Sequence, residues 1–158
     1  MAYKNVAVES TVGEALSALD DLRALQEEMQ SWADNMQGTS LENTEKYQRV
    51  EEAATTLEAA NNIDEVNLPE DLSSKKITYS KMQNRNKKAP NSRAVRCTNA
   101  AVALRMVVDE IRDWVEEKQK ELDEADDGSD LQTLSDYADE IENVCDDAEN
   151  VEFPGMFG

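Results

Sequence analysis

The chain has 158 residues, of which 39% are hydrophobic, 5% aromatic and 32% charged, and its formal net charge is −19. Five glycines and three prolines are too few for a loop-rich β protein, and no run of about 18 apolar residues is present to span a bilayer. The absence of histidine excludes His-based triads, zinc–histidine sites and the Glu-x-x-His sites of di-iron carboxylate bundles, and no glycine-rich phosphate loop occurs.

The charge is sorted along the chain. Residues 1–71 carry sixteen acids and four bases, residues 72–108 carry nine bases and no acid, and residues 109–158 carry nineteen acids and three bases. Sorting of this kind governs partners and solubility more than fold. Any phosphate binding has to pass through the basic middle, since the acidic parts repel polyanions. Met1-Ala2-Tyr3-Lys4 lacks the apolar core of a signal peptide, and Cys97 and Cys145 have no disulfide framework around them. The expectation is a protein of the cytoplasm, or of a particle assembled there, with two core thiols.

Thr11-Val12-Gly13-Glu14 reads as a capping box opening the first helix. Val12, Ala15, Leu19, Leu22, Met29, Ala33 and Met36 follow at heptad spacing, with Gln26 as a polar interruption, and Leu16, Leu25 and Trp32 widen the stripe to bundle width. Gly38 is a C′ stop. A second capping box, Thr39-Ser40-Leu41-Glu42, predicts a helix striped by Tyr47, Val50, Ala54 and Leu57, antiparallel to the first. Residues 62–91 break the period, with Pro69 and Pro90 as punctuation and Ile77-Thr78-Tyr79 as a short extended piece. The longest helix is expected from Asn91-Ser92 to about Asp126, striped by Cys97, Ala101, Leu104, Val108, Ile111, Val115, Leu122 and Ala125. After Asp127-Gly128, a third capping box at Ser129-Asp130-Leu131-Gln132 opens a helix striped by Leu131, Leu134, Ala138, Ile141, Cys145 and Ala148. Pivoting that hairpin at Gly128 places the two cysteines roughly 21 Å apart at helical rise, beyond the ~7 Å Cα limit of a disulfide.

The fold expected from these elements is all-α: two antiparallel helical hairpins forming a four-helix bundle-like domain with a long basic crossover loop. Its parts are an acidic N-terminal hairpin over 1–71, the basic crossover loop over 72–91, the long helix with the C-terminal helix over 92–150, and an apolar tip over 151–158.

The strongest candidate site is the basic segment, where Lys75, Lys76, Lys81, Arg85, Lys87, Lys88, Arg93 and Arg96 fall within 22 residues. Clustered Lys and Arg neutralise phosphates or clasp carboxylates. The protein-facing use is favoured, against this chain's own acidic helices, another copy or a partner, with nucleic acid reachable only through this loop. The acidic helix faces (Asp20, Asp21, Glu27 and Glu28 in the first hairpin; Asp109, Glu110, Asp113, Glu116 and Glu117 in the third helix) read as solvated surface or, alternatively, as a mimic of duplex phosphates. At the C-terminus, the acidic run and the tip Phe153, Pro154, Met156 and Phe157 resemble the partner-binding tails of single-stranded-DNA-binding proteins. The tip either docks on a partner or folds back on the bundle. Glu121-Leu122-Asp123-Glu124 and Asp136-Tyr137-Ala138-Asp139 resemble the paired acidic motifs of all-α nucleoside-triphosphate pyrophosphohydrolases, a resemblance that implies Mg²⁺ held by carboxylates.

The function expected is a non-enzymatic helical structural or adaptor protein, without cofactor or metal, acting in a multi-copy or hetero-assembly in the style of a viral particle component or accessory. In it, the acidic helices of one copy meet the basic loop of the next and the tip docks on a protein partner. An acidic inhibitor of a nucleic-acid-binding enzyme is the alternative, and a Mg²⁺-dependent nucleotide pyrophosphohydrolase comes third.

Overall fold

The computed structural model describes residues 2–86, 88–122 and 128–154. The chain opens on strand β1 (Tyr3–Thr11) and passes directly into a short helix α1 (Val12–Leu16) and then α2 (Ala18–Met36). Helix α3 (Glu45–Leu57) and a 3₁₀ turn (Glu58–Asn62) lead through an extended stretch to the single turn α4 (Glu70–Ser73). Strand β2 (Lys76–Asn84) precedes α5 (Arg93–Glu121) and α6 (Ser129–Asn150).

The all-α expectation is therefore overturned. The structure is mostly helical, but it carries a two-stranded antiparallel sheet, and the basic crossover is not a loop. Its residues 76–84 pair with β1 in unbroken register from Tyr3 opposite Asn84 to Thr11 opposite Lys76. Both segments alternate, and both contain β-branched or aromatic residues (Val6, Val8 and Thr11; Ile77, Thr78 and Tyr79), which suit a half-buried pleated surface. Each is polar enough to pass for loop when read alone. A two-stranded ribbon is marginal by itself; this one is anchored by buried Ile77 and by Tyr79, which packs on the main core.

Thr11 joins strand to helix. Its hydroxyl accepts from the Glu14 N–H at 3.1 Å, so the last ladder residue is also the N-cap of α1. The expected first helix is broken at Ser17, whose Oγ donates to the Glu14 carbonyl at 2.6 Å and competes with continuation of the helix. Gly38 lies in the left-handed region (φ 76°) and ends the turn after α2, as a C′ glycine does. The next helix starts later than expected: the cap is Thr44, accepting from Tyr47 N at 3.2 Å. Thr39 instead donates to the Met36 carbonyl at 2.5 Å, and the Glu42 carboxylate accepts from Gly38 N. The third capping box is also corrected. Helix α6 begins at Ser129 behind Gly128, which has φ 67° and no side-chain cap.

The main core is built from α1, α2, α5 and α6 around fully buried Val12, Leu22, Leu25, Leu104, Ile111 and Ile141. A smaller cluster (Met29, Ala33, Met36, Val50, Ala53, Ala54) seals α2 against α3. Gln26, the polar interruption of the α2 stripe, donates to the Ala54 carbonyl at 3.4 Å and accepts from Asn61 at 3.0 Å, tying α2 to α3 and the turn after it.

Cys97 and Cys145 are buried and free. They lie nearer along the hairpin than the reckoning from Gly128 gave. Cys97 donates to the Ala148 carbonyl at 3.3 Å and Cys145 approaches the Ala101 carbonyl at 3.8 Å, so each sits opposite a residue about one turn from the other. Helix α5 stops at Glu121, which moves the centre of the turn ahead of Gly128.

Buried Asn99 braces the ribbon on α5. Its amide accepts from Met82 N and donates to Met82 O, both at 2.8 Å, along the outer edge of β2. Removing both bonds strands two backbone groups, so Asn99→Ala is expected to cost about 1–3 kcal/mol in urea unfolding and to speed hydrogen exchange at the Met82 amide. Unchanged exchange there would show that Asn99 does not hold the strand.

Candidate functional site

The structure divides the basic segment into cations paired with carboxylates of the helices and cations without such a partner among the described residues. Lys75, just before β2, pairs with Glu110 of α5, and this bond holds its ammonium above the ordinary lysine range. Arg93 and Arg96, in the first turns of α5, converge on Glu28 of α2. Arg93 Nε lies 3.2 Å from Oε1, and the Arg96 guanidinium lies 3.1 and 2.5 Å from the two carboxylate oxygens. The Arg93 guanidinium also sits over the Trp32 ring, 5.2 Å from its centroid. The Arg96 hydrogen bond is the main cause holding the Glu28 carboxyl below its ordinary value. Farther along α5, Arg105 binds Asp146 and Glu149, and Arg112 binds Asp139 and Glu142, stitching α5 to α6. Exposed pairs of this kind contribute little stability each; their consequence is that these cations are committed.

Lys76, Lys81, Arg85 and Lys88 are exposed and have no carboxylate partner among the described residues. Lys87 lies outside the described residues. The register adds a cation that the basic-segment reading missed. Lys4 stands opposite Gln83, so Lys81 is its diagonal neighbour on the same ribbon face. Arg85 extends the ladder by one bond, its N–H donating to the Ala2 carbonyl at 2.8 Å, and is the other diagonal neighbour of Lys4. Three cations thus share one end of one face without an ion pair among the described residues. The alternation Lys4, Val6, Val8, Ser10 was the signal that could have found this strand.

That end of the ribbon is held firmly. Asn91 accepts from Asn84 N at 3.0 Å, and the Tyr3 hydroxyl accepts from Ser92 N at 3.1 Å. Ser92 in turn caps α5 by accepting from Val95 N at 3.2 Å. The concavity beneath the ribbon, about 270 Å³, is lined by both signs, Lys81 and Arg96 with Glu14 and Asp21. It is no anion pocket; Lys4, Lys81 and Arg85 stand at the end of the ribbon face that carries Ile77 and Tyr79, with Lys81 at the margin of this concavity.

Of the tip residues, Phe153 and Pro154 are half-buried. Phe153 packs with Val151 against both core clusters, the fold-back arrangement. Met156 and Phe157 lie outside the described residues. The carboxylate pairs likened to a Mg²⁺ site are spent or out of view: Asp139 pairs with Arg112, Asp136 accepts from Gln132 at 2.9 Å, and Asp123 and Glu124 lie outside the described residues. Among the described residues, no group of three or more acidic, Cys or His side chains is placed to hold a metal ion, and no helix is long and apolar enough to cross a membrane. Burial pushes the Cys97 thiol up to about 11 and the Cys145 thiol up to about 12, so both are protonated and poor nucleophiles at neutral pH.

No protein-family profile, curated protein sequence or solved structure matches the chain.

Two outcomes are expected. Native protein at pH 8 resists thiol labelling at both cysteines until denaturant is added, as read by mass spectrometry; rapid native labelling would contradict the buried, protonated state. Glu28, whose folded value lies below its ordinary 4.5, contributes stability above that pH and loses it as the pH falls through the folded value. Glu28→Gln therefore lowers the urea midpoint at pH 7 and flattens its decline in acid. An unchanged acid profile would remove Glu28 from that role.

Proposed function

We propose that this chain is a non-catalytic structural or adaptor protein that acts in a multi-copy or hetero-assembly, docking the cationic end of its ribbon on an acidic protein surface. The observation that carries the reading is the division of its cations. Lys75, Arg93, Arg96, Arg105 and Arg112 are neutralised within the chain, whereas Lys4, Lys76, Lys81, Arg85 and Lys88 have no carboxylate partner among the described residues, and Lys4, Lys81 and Arg85 gather at one end of the ribbon. In a chain of net charge −19, carboxylates are abundant, so an unmatched cationic patch is an arranged surface and not a shortage of partners. The acidic faces of other copies supply a matching surface. Contacts that join two different patches close into rings or run on as filaments.

The acidic phosphate-mimic alternative has less support, because Arg105 and Arg112 interrupt the acidic seam of α5 and α6. The pyrophosphohydrolase reading has less still. The proposed setting is the cytoplasm or a particle assembled there, such as a viral one, where two unpaired buried thiols are at home.

The test is the triple variant Lys81→Glu, Arg85→Glu, Lys88→Glu, with mass read by sedimentation at physiological and at about 1 M salt, where screening shortens to roughly 3 Å. Wild type is expected to form larger, salt-sensitive species, and the variant to lose them with its helicity unchanged by circular dichroism. Identical masses for both proteins at both salts would overturn the charge-docking reading.

A further inference from the structure

We infer that the outer edge of β1 is a self-association surface, onto which a second copy of this chain adds its own β1, antiparallel, across a two-fold axis at Ala7. The inference rests on the assembly reading above and supplies one contact within it.

The edge follows from the ladder. The bonds from Arg85 N to Ala2 O and from Val12 N to Lys75 O bracket it, both 2.8–2.9 Å long. Backbone groups alternate in direction along an antiparallel strand. Residues 4, 6, 8 and 10 therefore turn theirs toward β2, while Asn5, Ala7 and Glu9 turn theirs outward. Among the described residues, nothing bonds to those outward groups. The opposite edge of the ribbon is treated differently: Asn99 and Asn91 close β2 at Met82 and Asn84.

Open edges are normally blunted by proline, a bulge or shortness. β1 has nine residues, no proline or glycine, and unbroken register. Its two charges, Lys4 and Glu9, sit toward opposite ends.

The occupant is argued from symmetry and charge. A two-fold contact must be self-complementary. Pairing centred on Ala7 is the register that overlaps all nine residues, Tyr3 of one copy facing Thr11 of the other. It sets Val6 against Val8 of the second copy and the reverse, covering four half-buried valines. It sets Lys4 against Ser10 and Asn5 against Glu9, so no like charges stand opposite. Centring on Val6 instead puts Lys4 against Val8 and leaves residues 10 and 11 without partners. Contact through the helices brings carboxylates of both copies together. On the ribbon, with Lys4, Lys76, Lys81 and the single acid Glu9, the antiparallel two-fold sends the Lys4 ends of the two copies to opposite ends of the joined sheet.

The experiment separates this contact from the charge docking. Backbone pairing is little affected by salt, so a dimer is expected to persist at about 1 M salt, where charge docking is lost. Ala7→Pro removes an outward N–H and no intrachain bond, a substitution that an edge strand tolerates. It deletes two bonds per dimer and is expected to weaken dimerisation by roughly 10- to 100-fold, with circular dichroism unchanged. Register is read independently by cysteine placement, since the native thiols are buried. Ala7→Cys is expected to crosslink to itself with a short thiol crosslinker, and Asn5→Cys to crosslink with Glu9→Cys in a mixture but not alone. A wild-type monomer at high salt, or an Ala7→Pro dimer as tight as wild type, would overturn the inference. A salt-stable dimer with no larger species at low salt would keep it and overturn the charge docking instead. A monomer at both salts fits an edge guarded by Lys4 alone or kept for another protein's strand, and counts against the second copy.

Discussion

The pairing of residues 3–11 with residues 76–84 is the constraint on which the remaining arrangement depends. It closes a long loop, and the entropy of that closure must be recovered by non-local contacts. Recovery comes from three directions. Ile77 is buried under the ribbon, Asn99 and Asn91 take up the edge of β2, and Thr11 hands the strand directly to α1. The same ladder sets where α5 begins, because Tyr3 and Asn84 bind the residues at its N-cap. The position of α5 in turn decides which carboxylates its arginines reach.

Charge in this protein is organised by reach. A guanidinium on a helix packed against another helix finds a carboxylate one groove away, so Arg96, Arg105 and Arg112 are clasped. Lys4, Lys76 and Lys81 on the narrow ribbon make no ion pair among the described residues. The resulting surface carries two signs. The energies of such exposed pairs are small and salt-dependent, which suits them to positioning and recognition more than to holding the fold together. The fold is held by the aliphatic core, and Val151 and Phe153 close the end of it where α2, α3 and α6 meet.

Much of the helical part was legible residue by residue. The stripes Val12 to Met36, Val50 to Leu57, Cys97 to Val115 and Leu131 to Ala148 are buried as their spacing implies, because a 3.6-residue period is a local property that any helix must express; Tyr47 is only half-buried, Leu122 is exposed because α5 stops at Glu121, and Ala125 lies outside the described residues. The caps at Thr11 and Ser92 and the left-handed Gly38 were readable for the same reason. The caps at Thr44 and Gly128 were not. Thr39 and Ser129 offered equally good local chemistry, and packing chose between the alternatives. At the candidate site, the cations were visible as a cluster, but their division into paired and unpaired groups was not.

By itself the sequence determined the helical stripes, the absence of histidine chemistry and the sorting of charge, all of which depend only on neighbours along the chain. Only the tertiary structure decided that residues 3–11 are a strand, that the basic crossover is its partner, that Lys4 belongs beside Lys81 and Arg85, and that one edge of the ribbon is closed while the other is open. The physical reason is the same in each case. A strand has no partner within itself, so its hydrogen bonds, its register and the direction of its side chains are properties of two distant segments taken together.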